Sequence, residues 1–161
     1  MAKTTHVIVN ADVDGISVSP DGQIVYGAAF GYIYGWNIAS GTQVFQSAYI
    51  GSPDGTAVIQ SSGGLAGSII SNNNDGTVDL IDPVTRFATV IATGGTRGYY
   101  VGLDTTNGSL FLSQTDSIER LSCGPGCYFT PPPGVPEPST ASLCLGGLLL
   151  AGWRVLRRRS A

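Results

Sequence analysis

The sequence predicts an all-β fold assembled from repeated four-stranded units, and three observations carry that prediction. Short runs of β-branched and aromatic residues alternate with Asp-Gly, Asn-Gly and Ser-Gly pairs, the chemistry that hairpin turns require. The runs also recur: the third strand of each unit begins near Ile33, Thr77 and Ser117, spacings of 44 and 40 residues. No stretch before residue 141 carries a helical period.

In chain order, the first unit places strands at 16–19, 23–30, 33–38 and 42–47, punctuated by Pro20-Asp21-Gly22, Gly31-Tyr32 and Ser40-Gly41. The second places them at 56–60, 68–71, 77–81 and 86–92, and the third at 99–103, 109–114 and 117–121. Residues 5–9 read as the outer strand of a preceding unit, because "HVIVNADVDGISVSPDG" parallels "ATVIATGGTRGYYVGLDTTNG". Four strands in forty-odd residues is the period of a propeller blade, and complete propellers have about four to eight blades. Three blades' worth of strands therefore reads as an incomplete ring. The other arrangement open to the sequence is a self-closed three-bladed disc, with residues 5–9 completing the last blade.

The stretches "SPDG…VYG…IYGWNIASG" and "DGTVDLIDPVT" resemble the repeats of YVTN, WD-repeat and lactonase-type propellers across most of residues 7–122. That resemblance implies a propeller body over residues 1–122. A Cys/Gly/Pro-rich linker follows at 123–134, and a tail of different character occupies 135–161.

Charge is distributed unevenly. Residues 1–140 carry Lys3, Arg86, Arg97 and Arg120 against all eleven acids, a net of −7, so the body has no basic footprint for nucleic acid. The other four basic residues lie in the tail. Cys144 falls in an apolar run and reads as a small hydrophobe. Cys123 and Cys127 flank Gly-Pro-Gly, which turns the chain back on itself. Both a disulfide and a pair of free thiols fit this spacing, and a disulfide in an oxidising compartment would contribute roughly 2 kcal/mol.

The tail reads "VPEPSTASLCLGGLLLAGWRVLRRRSA". Pro136 and Pro138 fix their own φ and lack an N–H, which holds Glu137 in an extended segment open to a processing enzyme. Residues 141–156 contain one charge, Arg154. As a helix they reach about 24 Å at 1.5 Å per residue, against a hydrocarbon core of roughly 30 Å, so a snorkelling Arg154 would complete a short span. Leu143, Leu145, Leu148, Leu149, Leu150 and Trp153 would form that transmembrane helix, and Arg154, Arg157, Arg158 and Arg159 its positive-inside anchor.

In this order of parts the tail resembles the PEP-CTERM sorting signal of exported Gram-negative proteins. Val135, Pro136, Glu137, Pro138, Ser139 and Thr140 match the sorting motif. The resemblance implies an exosortase as partner, a membrane enzyme of which this chain is the substrate, with transient residence in the inner membrane and then the cell surface or extracellular space. A secretory leader is also expected. "MAKTTHVIVNADVDG" has only Val7-Ile8-Val9 as an apolar run, which points to a start further upstream or to a piece of a longer protein.

The body offers little for catalysis. His6 is the one histidine, and no Gly-x-Ser-x-Gly, Cys/His pair or metal triad is present, so no catalytic residue, cofactor or metal is assigned. "NADVDG" spaces Asn10, Asp12 and Asp14 like the opening of a calcium loop, with Asp21 at the twelfth position; the plainer reading is an acidic turn. Tyr34 and Trp36 share one strand face. They would stack on sugar rings or pack between blades. The expected role is an exported, non-enzymatic binding or scaffold module of the envelope or matrix, with exopolysaccharide as a partner. The competing role is the C-terminal portion of an exported propeller enzyme, a lactonase or lyase.

Overall fold

The computed structural model describes residues 12–60, 64–104 and 108–122. Eleven strands and no helix occur among them. The first sheet comprises β1 (Ile16–Val18), β2 (Ile24–Ala29), β3 (Tyr32–Asn37) and β4 (Gln43–Gln46). The second comprises β5 (Pro53–Val58), β6 (Ile69–Asn73), β7 (Val78–Ile81) and β8 (Ala88–Ala92). The third holds β9 (Gly98–Leu103), β10 (Leu110–Gln114) and β11 (Ile118–Leu121). Every sheet is an antiparallel meander in chain order, so the all-β, four-stranded-blade expectation holds. The expected transmembrane helix lies outside the described residues, as do residues 5–9 and both linker cysteines.

Alternation within the strands decides which face meets which neighbour. Tyr26, Ala28, Ile33 and Phe45 of blade 1 pack on Val58, Ile69 and Ile81 of blade 2. The other face of blade 2 brings Ile70 and Val78 against Leu110 and Leu112 of blade 3, with Ile59. Blade 2 is thus apolar on both faces. Its β5 and β6 are buried at every position, as a sheet sandwiched between two others must be.

The blades join along their first strands. The Gly15 amide donates to the Asp54 carbonyl at 2.9 Å, and the Thr56 hydroxyl donates to the Gly15 carbonyl at 3.1 Å. Gly55 lies so close to blade 3 that a Cβ there would sit 2.0 Å from the Tyr99 carbonyl oxygen. Between blades 2 and 3, the buried Asn72 donates to the carbonyls of Tyr100 at 3.3 Å and Ser113 at 2.9 Å.

Side chains secure the turns. Ser19 accepts from the amide of Ile24 and donates to Asp21. Asn37 and Asp82 close equivalent third turns: Asn37 Oδ1 accepts from Ala39 and Ser40, and Asp82 Oδ1 from Val84 and Thr85. Hydrogen bonds to the carboxylate hold Asp21, Asp75 and Asp82 below the usual carboxylate range.

Two expectations need correction. The turn between β2 and β3 is Phe30-Gly31, one residue earlier than Gly31-Tyr32, which makes Tyr32 the first residue of β3. β5 begins at Pro53, three residues before the expected 56, because Pro53-Asp54-Gly55 is strand and not turn. The self-closed three-bladed disc is not the arrangement seen. Ile16 and Val18 on blade 1, and Tyr100 and Ile118 on blade 3, are exposed, so those end faces do not cover each other.

Candidate functional site

The crossings between blades and the second turn of each sheet gather at one end of the molecule. Backbone bonds tie them together: Ile50 donates to Gly31, Asn74 to Ser52 and Gly95 to Gly76, all between 2.8 and 3.1 Å. Two sets of side chains stand there, one aromatic and one charged.

The aromatic set begins at the two-residue hairpin Phe30-Gly31. Both residues have positive φ, 50° and 86°, the conformation that a tight hairpin needs and that Asn-Gly adopts most easily. Phenylalanine in the left-handed region is disfavoured by its Cβ. Burial does not compensate here, because Phe30 is 69% exposed. Tyr49, in the crossing from blade 1 to blade 2, is 67% exposed and meets Tyr32 edge-on with ring centroids 5.4 Å apart. Gly31 leaves room for it, since a Cβ would lie 2.3 Å from the Tyr49 ring. From Tyr32 the ring contacts continue along one face of β3, to Tyr34 at 5.8 Å and on to Trp36 at 5.9 Å.

The charged set lies at the leading end of each blade's first strand, where the chain reads Asp14-Gly15, Asp54-Gly55 and Arg97-Gly98. Asp54 is a bulge residue: Pro53 pairs with Asn73 and Gly55 with Asn72, leaving Asp54 unpaired between them. A bulge re-aims a side chain. Arg97 meets the Asp54 carboxylate at 3.6 Å while its guanidinium lies 5.3 Å from the centre of the Tyr99 ring. Burial and the nearby Asp14 charge push Asp54 above the ordinary carboxylate range, and Arg97 and an Asn74 hydrogen bond partly oppose this. The Arg97 side chain is 57% exposed, so the ion pair is screened and contributes under about 1 kcal/mol.

The sequence candidates fall in different places. Tyr34 and Trp36 occupy the face of blade 1 turned away from blade 2, so neither blade interface within the chain uses them. Trp36 is buried to 9% exposure and Tyr34 is half-buried, which leaves Phe30 and Tyr49 as the accessible rings. Asp12 and Asp14 are exposed, and the Asp21 carboxylate is engaged in its own turn by Ser19 and the Gln23 amide. Among the described residues no group of three metal-ligating side chains is gathered. Asn10, Cys123, Cys127, the sorting motif at Val135–Thr140, the apolar span and the arginine cluster lie outside the described residues.

Sequence reasoning missed Tyr49, Asp54 and Arg97, and read Phe30, upstream of Tyr34 and Trp36, as the end of a strand and not as part of a turn. The recurring charged residue before glycine was a readable signal for Asp54 and Arg97. The turn at Phe30 became visible only through its φ.

An all-β body of propeller-like blades ahead of a sorting tail is the class that fold and sequence define. Over residues 134–159 the chain matches the PEP-CTERM protein-sorting motif, and it carries the C-terminal signal of an exosortase substrate. The motif supports export through transient membrane anchoring, with exosortase as the processing enzyme. No curated protein matches the sequence. Solved structures do match, 298 chains of them, and a shared fold does not by itself assign an activity. One is the Kuenenia stuttgartiensis hydrazine synthase, with a TM-score of 0.60 and 14% identity. The alignment covers 77% of this chain and 36% of that one; at this identity it speaks for the fold, and the present chain spans little more than a third of that protein's length.

Proposed function

We propose that the chain is an exported, non-enzymatic binding and scaffold module of the cell envelope or extracellular matrix, with exopolysaccharide as its ligand. Phe30 carries the reading: an aromatic ring sits in a backbone conformation that suits asparagine better, and faces solvent beside Tyr49. Strain retained at an exposed position is a mark of function. Flat apolar rings stack on the C–H faces of sugars, and Asp14, whose amide donates to the Ala28 carbonyl two residues before Phe30, supplies a partner for hydroxyls. Six of the ten described carboxylates are committed to structure: Asp21, Asp75 and Asp82 hold turns, Asp54 meets Arg97, Asp79 accepts from Asn73 at 2.6 Å, and Asp116 accepts from Thr96 at 3.0 Å. That commitment supports a binding role over an enzymatic one.

In this account exosortase reads Pro136-Glu137-Pro138 while Leu143, Leu145, Leu148–Leu150 and Trp153 hold the chain in the inner membrane. Arg154 and Arg157–Arg159 fix its orientation. Cleavage then delivers the body to the surface. The test is retention of the full chain on exopolysaccharide from a host that encodes an exosortase. Tyr49→Ala should weaken retention at least about fivefold, taking for a sugar the ~1–3 kcal/mol of a base stacked on an aromatic ring. Equal retention of parent and variant would remove the aromatic set from the reading.

A further inference from the structure

The chain builds the blade-to-blade interface twice, between blades 1 and 2 and between blades 2 and 3. Each interface joins two kinds of face: the following face of one blade and the leading face of the next. Among the described residues one of each kind is left over. Blade 1 exposes Ile16 at 69% and Val18 at 43% on its leading face, while blade 3 exposes Tyr100 at 73%, Phe111 at 39% and Ile118 at 74% on its following face. Register confirms that these are single faces. Ile16 and Val18 alternate along β1, and Phe111 and Ser113, opposite in parity to the buried Leu110 and Leu112, pair with Arg120 and Ile118.

We infer that a second copy of this chain covers both faces, with blade 3 of each copy seated on blade 1 of the other. A second copy is the partner that brings both missing kinds of face at once, and the contact continues an interface the chain already makes. Three blades from each of two copies give six, inside the range in which propellers close. A head-to-tail contact that closes yields a ring; one that does not yields a filament. Phe30 and Tyr49 stand at the end of the blades, whereas Tyr34 and Trp36 share the paired face of blade 1 with Ile16 and Val18.

The test is light scattering on the full 161-residue chain in mild detergent, comparing the parent with Ile16→Glu and Tyr100→Glu. Both side chains are exposed in the single chain, so both variants should keep the parent's circular dichroism. The parent should have the mass of two chains and each variant that of one, because a buried unpaired carboxylate opposes the contact. Mixing the two variants should restore a dimer, since one wild-type blade 1 face then meets one wild-type blade 3 face. A monomeric parent, an open-ended series of masses, dimers that survive both substitutions, or failure of the mixture to associate would each overturn the proposal. The third outcome also exposes dimerisation through the tail, which both variants retain.

Discussion

Replacing Phe30 with asparagine should raise stability and lower ligand retention together. The left-handed conformation at φ 50° costs a residue such as phenylalanine about 1–2 kcal/mol, and asparagine tolerates it. Against this stands the burial the ring now has. With 69% of the residue exposed, roughly a third of the 1.5–3 kcal/mol available to a buried phenylalanine is lost, about 0.7 kcal/mol. The difference is a gain of about 0.3–1.3 kcal/mol, which raises Tm by roughly 3 °C at the middle of that range in a body of this size. Differential scanning calorimetry of the parent, Phe30→Asn and Phe30→Ala measures it; alanine loses the ring without asparagine's tolerance of the turn and should melt at or below the parent. If Phe30→Asn melted several degrees lower, the ring would be a packing element and the argument from strain would fail.

Glycine position offers a second check: Gly55→Ala drives a Cβ into the Tyr99 backbone and should cost roughly 3 kcal/mol, whereas Gly22→Ala, with open space and φ 70°, should cost about 1 kcal/mol in urea titrations. Asp79 is buried in blade 2, and burial raises its pKa despite the Asn73 hydrogen bond. Its charged form therefore lowers stability as pH rises from the ordinary 3.8 through the raised folded value, a penalty absent at lower pH. Asp79→Asn should accordingly compare more favourably with the parent at pH 7 than at pH 3; an equal Tm offset at both would contradict the assignment. In the tail, Glu137→Ala should leave a secreted reporter full-length and membrane-bound, and processing equal to the parent's would exclude the carboxylate from recognition.

The tetrapeptide Ser-Pro-Asp-Gly shows how far the sequence could be read. At Ser19–Gly22 it forms the expected turn, with Gly22 at positive φ and Asp21 bonded to its neighbours. At Ser52–Gly55 the same four residues enter β5, buried between blades 1 and 3, and Asp54 becomes a bulge. Local chemistry is identical at the two sites; tertiary packing decides the outcome. Elsewhere the strands were legible because hydrophobic alternation and Asp-Gly turns agree with each other. Blade 1 is the clearest case, where only the turn at Phe30 shifted by one residue. That shift hid the candidate site, because a phenylalanine reads as the end of a strand and gives no sign of a left-handed turn. Tyr34 and Trp36 were visible as a pair, but the burial of Trp36 was not, because Val13 beside it over Gly27 is a tertiary neighbour.

The central claim is that this propeller-like body is delivered by exosortase, and one measurement addresses it directly. Residues 130–161 are fused behind a secreted reporter in a host that encodes an exosortase, and intact-mass spectrometry follows the mature product. The account predicts a released reporter that has lost the apolar span at 141–156 and the arginines beyond it. A reporter that keeps its full mass and stays in the membrane would contradict the claim and leave the tail as a simple anchor.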